Sequence, residues 1–456
     1  MSNEAMENID LEELIQLAKD KKYRQLKEAL LELNEVDIAS FIEELDSEER
    51  TVIVFRMLPK ALASDVFAEL PIEFQEHIIN SITDRELSEI VEDLYVDDAV
   101  DMLEELPATV VRRVLENTKP DTRKLINQFL NYPENSAGSL MTAEYIGLKR
   151  AMTVEEAFAH IRKHGIDSET IYTCYVMGVK RQLEGVVTVK DLLMNPYEAL
   201  VGDIMDDHVI KAVTTMDQEE VVEMMNKYDL LSMPVVDRED RLVGIITVDD
   251  VMDVMEEEAT EDIEKMAAML PSEKPYLKTG VFELAKNRIP WLLFLMLSST
   301  ISGAILVKYE SAFAVIPLLV SFTPMLMNTG GNSGSQSSAM IIRGMSLGEI
   351  EPADILQVVW KEVRVGMIAG GVLAVANFVR LMIQYPGNTL ICLVVVLSVF
   401  VTVVIAKTIG CTLPIVARVM KMDPAIMAGP LITTIVDAVS LIVYFNLACV
   451  MLDMTV

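Results

Sequence analysis

The chain has 456 residues, with 70 Asp and Glu against 38 Lys and Arg, for a net charge of −32. A surface this acidic repels nucleic acid and attracts cations, so nucleic acid is not an expected partner. From Ile289 onward eight basic residues balance eight acidic ones, so the first 288 residues carry the whole excess.

The cysteines (Cys174, Cys392, Cys411, Cys449) form no C-x-x-C pair, and the histidines (His77, His160, His164, His208) form no H-E-x-x-H. Neither a disulfide framework nor a zinc site is expected, which fits a reducing cytoplasm for the soluble part. The acidic opening MSNEAMENIDLEEL does not read as a signal peptide.

Residues 1–130 predict an acidic domain of short helices. Ile38, Phe41, Ile42 and Leu45 recur at helical spacing, as do Leu87, Ile90, Val91 and Leu94. Pro59, Pro71 and Pro107 fall where helices start. Each helix is too short to bury its face alone, so a stacked helical repeat is expected.

Residues 136–200 and 201–256 form an internal repeat of about sixty residues, each with an amphipathic helix, β-branched runs and a closing helix. The repeat resembles paired CBS domains, an α/β module. In that family a Thr-x-x-Asp at the last strand–helix junction often holds an adenosine ribose; here the pairs are Thr188/Asp191 and Thr247/Asp250. Both pairs also read as plain helix caps. The closing helix of the second repeat opens at Asp250, and Asp249 through Lys286 predict a helical connector, residues 257–286 being the part beyond the repeat, interrupted by Pro271 and Pro275.

Residues 287–456 predict a transmembrane domain of five spans, near 289–307, 313–342, 356–383, 390–408 and 424–451. The positive-inside rule places the amino-terminal domains in the cytoplasm and the carboxyl terminus outside. The expected fold is therefore a multi-domain integral membrane protein.

Two polar features interrupt the apolar half. The second span contains PMLMNTGGNSGSQSS, with Asn328, Asn332 and Ser335/Gln336 on one helical face. Such residues are tolerated at membrane depth where they line a cavity, and they also serve as helix–helix glue. The last span carries one charged group, Asp437, in line with Gly429 and Thr433. No Lys or Arg lies in that stretch, and a lone carboxylate in a membrane segment points to a passing cation. Mg²⁺ keeps much of its water and suits one or two carboxylates, which a dimer with a shared pore would supply. No intramembrane His or Lys relay is expected, which favours a channel over a proton-coupled carrier.

The acidic half also concentrates carboxylates. VEDLYVDDAVDMLEEL carries Asp97, Asp98 and Asp101, and VDDVMDVMEEEATED carries Asp249, Asp250, Asp253, Glu257, Glu258 and Glu261. Charges this dense oppose compaction unless cations intervene, although charge runs are commonly just solvated faces.

The motifs P-x-x-x-N-x-G-G-N-x-G-x-Q in the second span and D-P-A-x-x-A-G-P-x-x-T-T-x-x-D from Asp423 to Asp437 resemble the signature of the MgtE family of magnesium channels. The domain order is similar too. The resemblance implies a homodimeric, multi-pass Mg²⁺ channel of the cell membrane, not an enzyme. Asp437 would bind the hydrated ion near Asn332, Gly331, Ala428, Gly429 and Thr433. Intracellular Mg²⁺ on the acidic clusters would shut the pore, and an adenine nucleotide is a further candidate ligand of the CBS pair. Alternatives are a divalent-cation exchanger and a membrane-anchored metal or nucleotide sensor without transport.

Overall fold

The computed structural model describes residues 11–453 except 46, 273–275, 278 and 311–315. The chain divides into two compact units, Met1–Val254 and Met255–Val456.

The first unit opens with short helices between residues 11 and 129. Ile38, Phe41, Ile42, Leu45, Leu87, Ile90 and Val91 are buried, as their spacing predicts. Pro59, Pro71 and Pro107 each stand immediately before a helix, where their fixed φ suits the turn and no N–H is missed. Thr83 and Glu86 close a capping box.

The repeat folds as two three-stranded sheets of the same design. β1 (Tyr145–Leu148) runs parallel to β2 (Thr170–Met177), and β2 antiparallel to β3 (Leu183–Thr188). β4 (Ala212–Val213), β5 (Ser232–Val236) and β6 (Leu242–Thr247) repeat that order.

The boundary at residue 200 separates the repeats in sequence but not in space. Ala137 and Gly138 donate their N–H groups to Met216 and Thr214, and Thr142 bridges Ile245, so the leading segment of the first repeat pairs with the second. Asp206 in turn bridges Val186. A Cβ on Gly138 would lie 2.7 Å from the Thr214 carbonyl oxygen, so only glycine allows this approach. One apolar core joins the helical stack to this second half, running from Phe129 through Ala137 to Val221 and Val235.

The connector helix begins where expected but is shorter than the reach from Asp249 to Lys286. Helix α1 (Val248–Met266) grows directly out of β6, with no loop between. It ends where Ala268 turns to positive φ ahead of Pro271.

The second unit holds five long helices among the described residues: α2 (Val281–Lys308), α3 (Thr323–Ser346), α4 (Ile355–Gln384), α5 (Thr389–Val419) and α6 (Gly429–Met451). All but α3 are long and apolar enough to cross a membrane, and α3 falls short because of its glycines, amides and hydroxyls. The start of the expected second span, Phe313, lies outside the described residues. The centre of the bundle is α5, packed against α3, α4 and α6. Gly366, Gly370 and Ala374 form the close face of α4 toward α5, whereas Gly371 meets nothing within 4 Å.

Candidate functional site: a bundle carboxylate and an acidic cluster

In the second unit, α3 and α6 meet through small residues. A Cβ on Gly331 would sit 3.0 Å from Thr433 Cγ2 and 3.7 Å from Asp437 Oδ1, so Gly331, Thr433 and Asp437 share one place. Asp437 is half-buried, and no described residue gives it a hydrogen bond or an ion pair. A carboxyl with a purely structural role would be expected to hold a donor.

The other expected residues lie at the start of α6 and on α3. Gly429 holds φ +24°, and a Cβ there would lie 2.9 Å from the Met266 carbonyl oxygen. Ala428 is buried and extended at the start of α6. Pro430 occupies the first turn of α6, where it costs no hydrogen bond, and its carbonyl accepts from the Thr433 and Thr434 hydroxyls. Asn332 donates to the Asn328 side chain at 3.1 Å. Asn328, Asn332 and Gln336 form an outward amide stripe, while Gly330, Gly331, Ser333 and Gly334 face inward.

One expectation is corrected. Lys407 is a buried bundle lysine, 3.9 Å from Glu362 on α4. It lies inside α5, a helix long and apolar enough to cross a membrane, whereas no intramembrane Lys relay was expected.

In the first unit the carboxylates converge. Asp97 and Asp98 open the helix Val96–Glu105, where the positive end of the helix dipole favours them. Burial, then Asp98, Asp250 and Glu169, push the Asp97 carboxyl well above its ordinary range. Burial and Asp250 raise Asp98 to about 6. Glu169 rises to about 7 by burial and by Asp250, Asp249 and Asp98. Asp250 is also raised, chiefly by burial, with Asp249 and Asp253 adding repulsion. No described Lys or Arg pairs with any of these four. Asp101 stands exposed on the same helix.

Sequence reading missed Glu169, whose Oε2 is buried without a donor. It also missed Glu144, Asp65 and Glu69, which act on this group. None belongs to a charge run, so nothing along the chain marks them.

The remaining expected sensor residues lie on the far part of α1. Glu257 is exposed. Glu258 acts on Asp262, whose carboxyl burial and Asp423 raise. Glu261 is taken by Lys265, which also pairs with Asp423 at 2.7 Å.

The Thr-x-x-Asp pairs form caps. Thr188 Oγ1 and N both donate to Asp191 Oδ2, at 2.5 and 2.9 Å, and Asp191 N donates back at 3.1 Å. Thr247 and Asp250 repeat the contact at 2.5 and 3.2 Å. Each cap uses Oδ2 and leaves Oδ1 outside it.

Three family models match the chain: a divalent cation transporter (MgtE) over residues 323–447, an MgtE intracellular N domain over 33–135, and CBS domains over 137–197 and 201–257. The magnesium transporter MgtE of Thermus thermophilus is 36% identical across 94% of this chain and 96% of its own length. That of Bacillus subtilis is 33% identical across 97% and 98%. Among solved structures, the cytosolic domain of the Mg²⁺ channel MgtE in complex with ATP is 39% identical, with a TM-score of 0.50, and covers 53% of this chain and 98% of its own. The soluble part of a magnesium transporter is 28% identical, with a TM-score of 0.52, across 55% and 98%. Matches over almost the whole chain, joined to the amino-terminal stack, the paired repeat and the helical bundle, make this protein a member of the MgtE family.

Proposed function

We propose that this protein carries Mg²⁺ across the cell membrane through a channel, with Asp437 as the group that takes the ion. The observation that carries this reading is the Asp437 carboxylate beside Gly331 and Thr433, unpartnered among the described residues. A hydrated cation supplies the countercharge that the bundle withholds, and glycine leaves room for its water. The site acts by binding and releasing an ion, with no bond made or broken.

The outward amide stripe of Asn328, Asn332 and Gln336 supports a homodimer. Amides facing lipid are costly, and a second copy of the same face would cover them and line one central path. The basic residues at the helix ends support an amino-terminal half in the cytoplasm and a carboxyl terminus outside.

The cluster of Asp97, Asp98, Glu169, Asp249 and Asp250 is read as the cytoplasmic Mg²⁺ sensor. Its carboxylates are held together without described basic partners, so divalent cations stabilise the compact state selectively. Asp253 adds to its field, and Asp101, Glu257, Glu258 and Glu261 extend the acidic surface. An adenine nucleotide fits the same unit, with Asp191 and Asp250 each keeping one carboxylate oxygen outside its cap for a ribose hydroxyl.

The test is Mg²⁺ entry into dye-loaded proteoliposomes. Wild-type entry that falls as cytoplasmic Mg²⁺ rises, and is lost in Asp437→Ala, supports the reading. An Asp437→Ala variant that conducts like wild type overturns it. A well-folded wild type without flux under any gradient would favour a sensor that transports nothing.

A further inference from the structure

A charged group buried behind the inward face of α3 has no part in the reading above. Lys407 on α5 is 8% exposed and Glu362 on α4 is 16% exposed. Ser337 on α3 stands between them. Its hydroxyl donates to Glu362 Oε2 at 2.5 Å and accepts from Lys407 Nζ at 3.2 Å. The lysine stem lies over Gly366, one turn beyond Glu362, where a Cβ would be 3.6 Å from Lys407 Cδ. Three helices thus meet at one hydroxyl.

Near Asp437 the close contacts of α3 are made by glycine, while Leu326, Ile341 and Met345 pack its two ends and Ser338 donates to the Met427 carbonyl. Gly330 faces Ser440, Thr402 and Val436; Gly334 faces Ile432, Val436 and the Ala406 carbonyl; Gly410 lies on the Gly334 backbone. Glycine surfaces let helices approach closely and contribute little side-chain resistance of their own to rotation or sliding. Hydrogen bonds to charged groups are directional and supply that resistance. A buried ion pair adds little net stability, and its best-attested use is to specify register. Ser337 lies six residues from Gly331, about 9 Å along the helix axis.

We propose that Lys407, Ser337 and Glu362 form a positioning device that sets the rotation and register of α3, and so the placement of Gly331 at Asp437. The proposal rests on the reading that Asp437 takes the ion. Lys407 is a positioning residue and does not touch the ion. Its ammonium is neutralised by Glu362, so it does not repel cations from the path.

The experiment is Mg²⁺ entry into proteoliposomes carrying the full chain, as a function of Mg²⁺ concentration, alongside thermal melting. Lys407→Met and Glu362→Gln each raise the half-saturating concentration about tenfold, equivalent to roughly 1.4 kcal/mol. The double variant is no worse than either single one, because each change breaks the same unit. Lys407→Arg, which keeps charge and reach, returns half-saturation toward wild type. If Lys407→Met does not assemble, Ser337→Ala carries the test, since it removes only the bridging hydroxyl. Variants that melt earlier but keep wild-type half-saturation overturn the proposal and leave a purely stabilising pair. Should Asp437→Ala conduct like wild type, the ion reading itself fails, and that result is separate from the behaviour of Lys407.

Discussion

The two acidic regions of this protein use the same side chain in opposite ways. Around Asp437 a single carboxylate stands among glycine, threonine and apolar residues, with no described partner. Around Asp98 and Glu169 several carboxylates are pressed together and half-removed from water, again without described basic partners. One charge attracts a cation yet holds it loosely enough to let it leave, as conduction requires. Many converging charges hold a cation and make the shape of the unit depend on its presence. In the proposed function this difference separates a site for passage from a site for occupancy, by the number and burial of the carboxylates and not by their kind.

The comparison breaks most sharply at Asp437. Asp437→Asn keeps size and loses charge, and Mg²⁺ entry should fall by about two orders of magnitude or more, the scale of roughly 2.7 kcal/mol. Neutralising the other region should do the reverse. In Asp97→Asn/Asp98→Asn/Glu169→Gln, flux at high cytoplasmic Mg²⁺ should rise several-fold toward its low-Mg²⁺ level. If the triple variant still shuts down with rising Mg²⁺, the cluster is not the sensor.

A third measurement addresses pH. The folded-state values of Asp98 and Glu169, about 6 and about 7, stand above their ordinary 3.8 and 4.5. Raised carboxyls favour the compact unit fully below about pH 4 and withdraw that support as pH climbs through 6 to 7. Limited proteolysis of the full chain without divalent cations should therefore show protection at about pH 5 that is lost by about pH 7.5. Mg²⁺ should restore it at the higher pH and change little at the lower. Equal protection by Mg²⁺ at both values would mean that the ion does not replace these protons.

A smaller effect sharpens the packing side of the comparison. Gly331→Ala places a methyl 3.0 Å from Thr433 Cγ2, which needs only a few tenths of an ångström of give. Gly330→Ala would meet Ser440 Oγ and Thr402 Cγ2 at 2.7 and 2.8 Å. Gly330→Ala should lower the melting temperature more than Gly331→Ala, by an amount worth about 1–3 kcal/mol. Gly331→Ala should act mainly on flux, and the reverse order in melting would disprove this packing account.

Much of the fold follows from local pattern. Leu87, Ile90 and Val91 are buried because helical spacing puts them on one face, and the prolines mark helix starts because of what they do to φ. The strands and closing helices of the repeat follow from β-branched runs ahead of Thr-x-x-Asp. What the pattern could not reveal was pairing between distant segments. The Ser136–Gly138 strip sits on the second repeat. Glu169 and Glu144 reach the acidic group from isolated positions in the chain.

Sequence by itself determined that Asp437 is the one charge of an apolar stretch and shares a helical face with Gly429 and Thr433, since hydropathy and helical spacing are local properties. It also determined that the acidic excess belongs to the amino-terminal half. Only the tertiary structure decided which carboxylates repel one another and that no described Lys or Arg pairs with Asp97, Asp98, Glu169 or Asp250. It alone placed Lys265 between Glu261 and Asp423, and brought Lys407 to Glu362 through Ser337. Charge interactions act through space over a few ångströms, and residues far apart in the chain become neighbours only when helices pack.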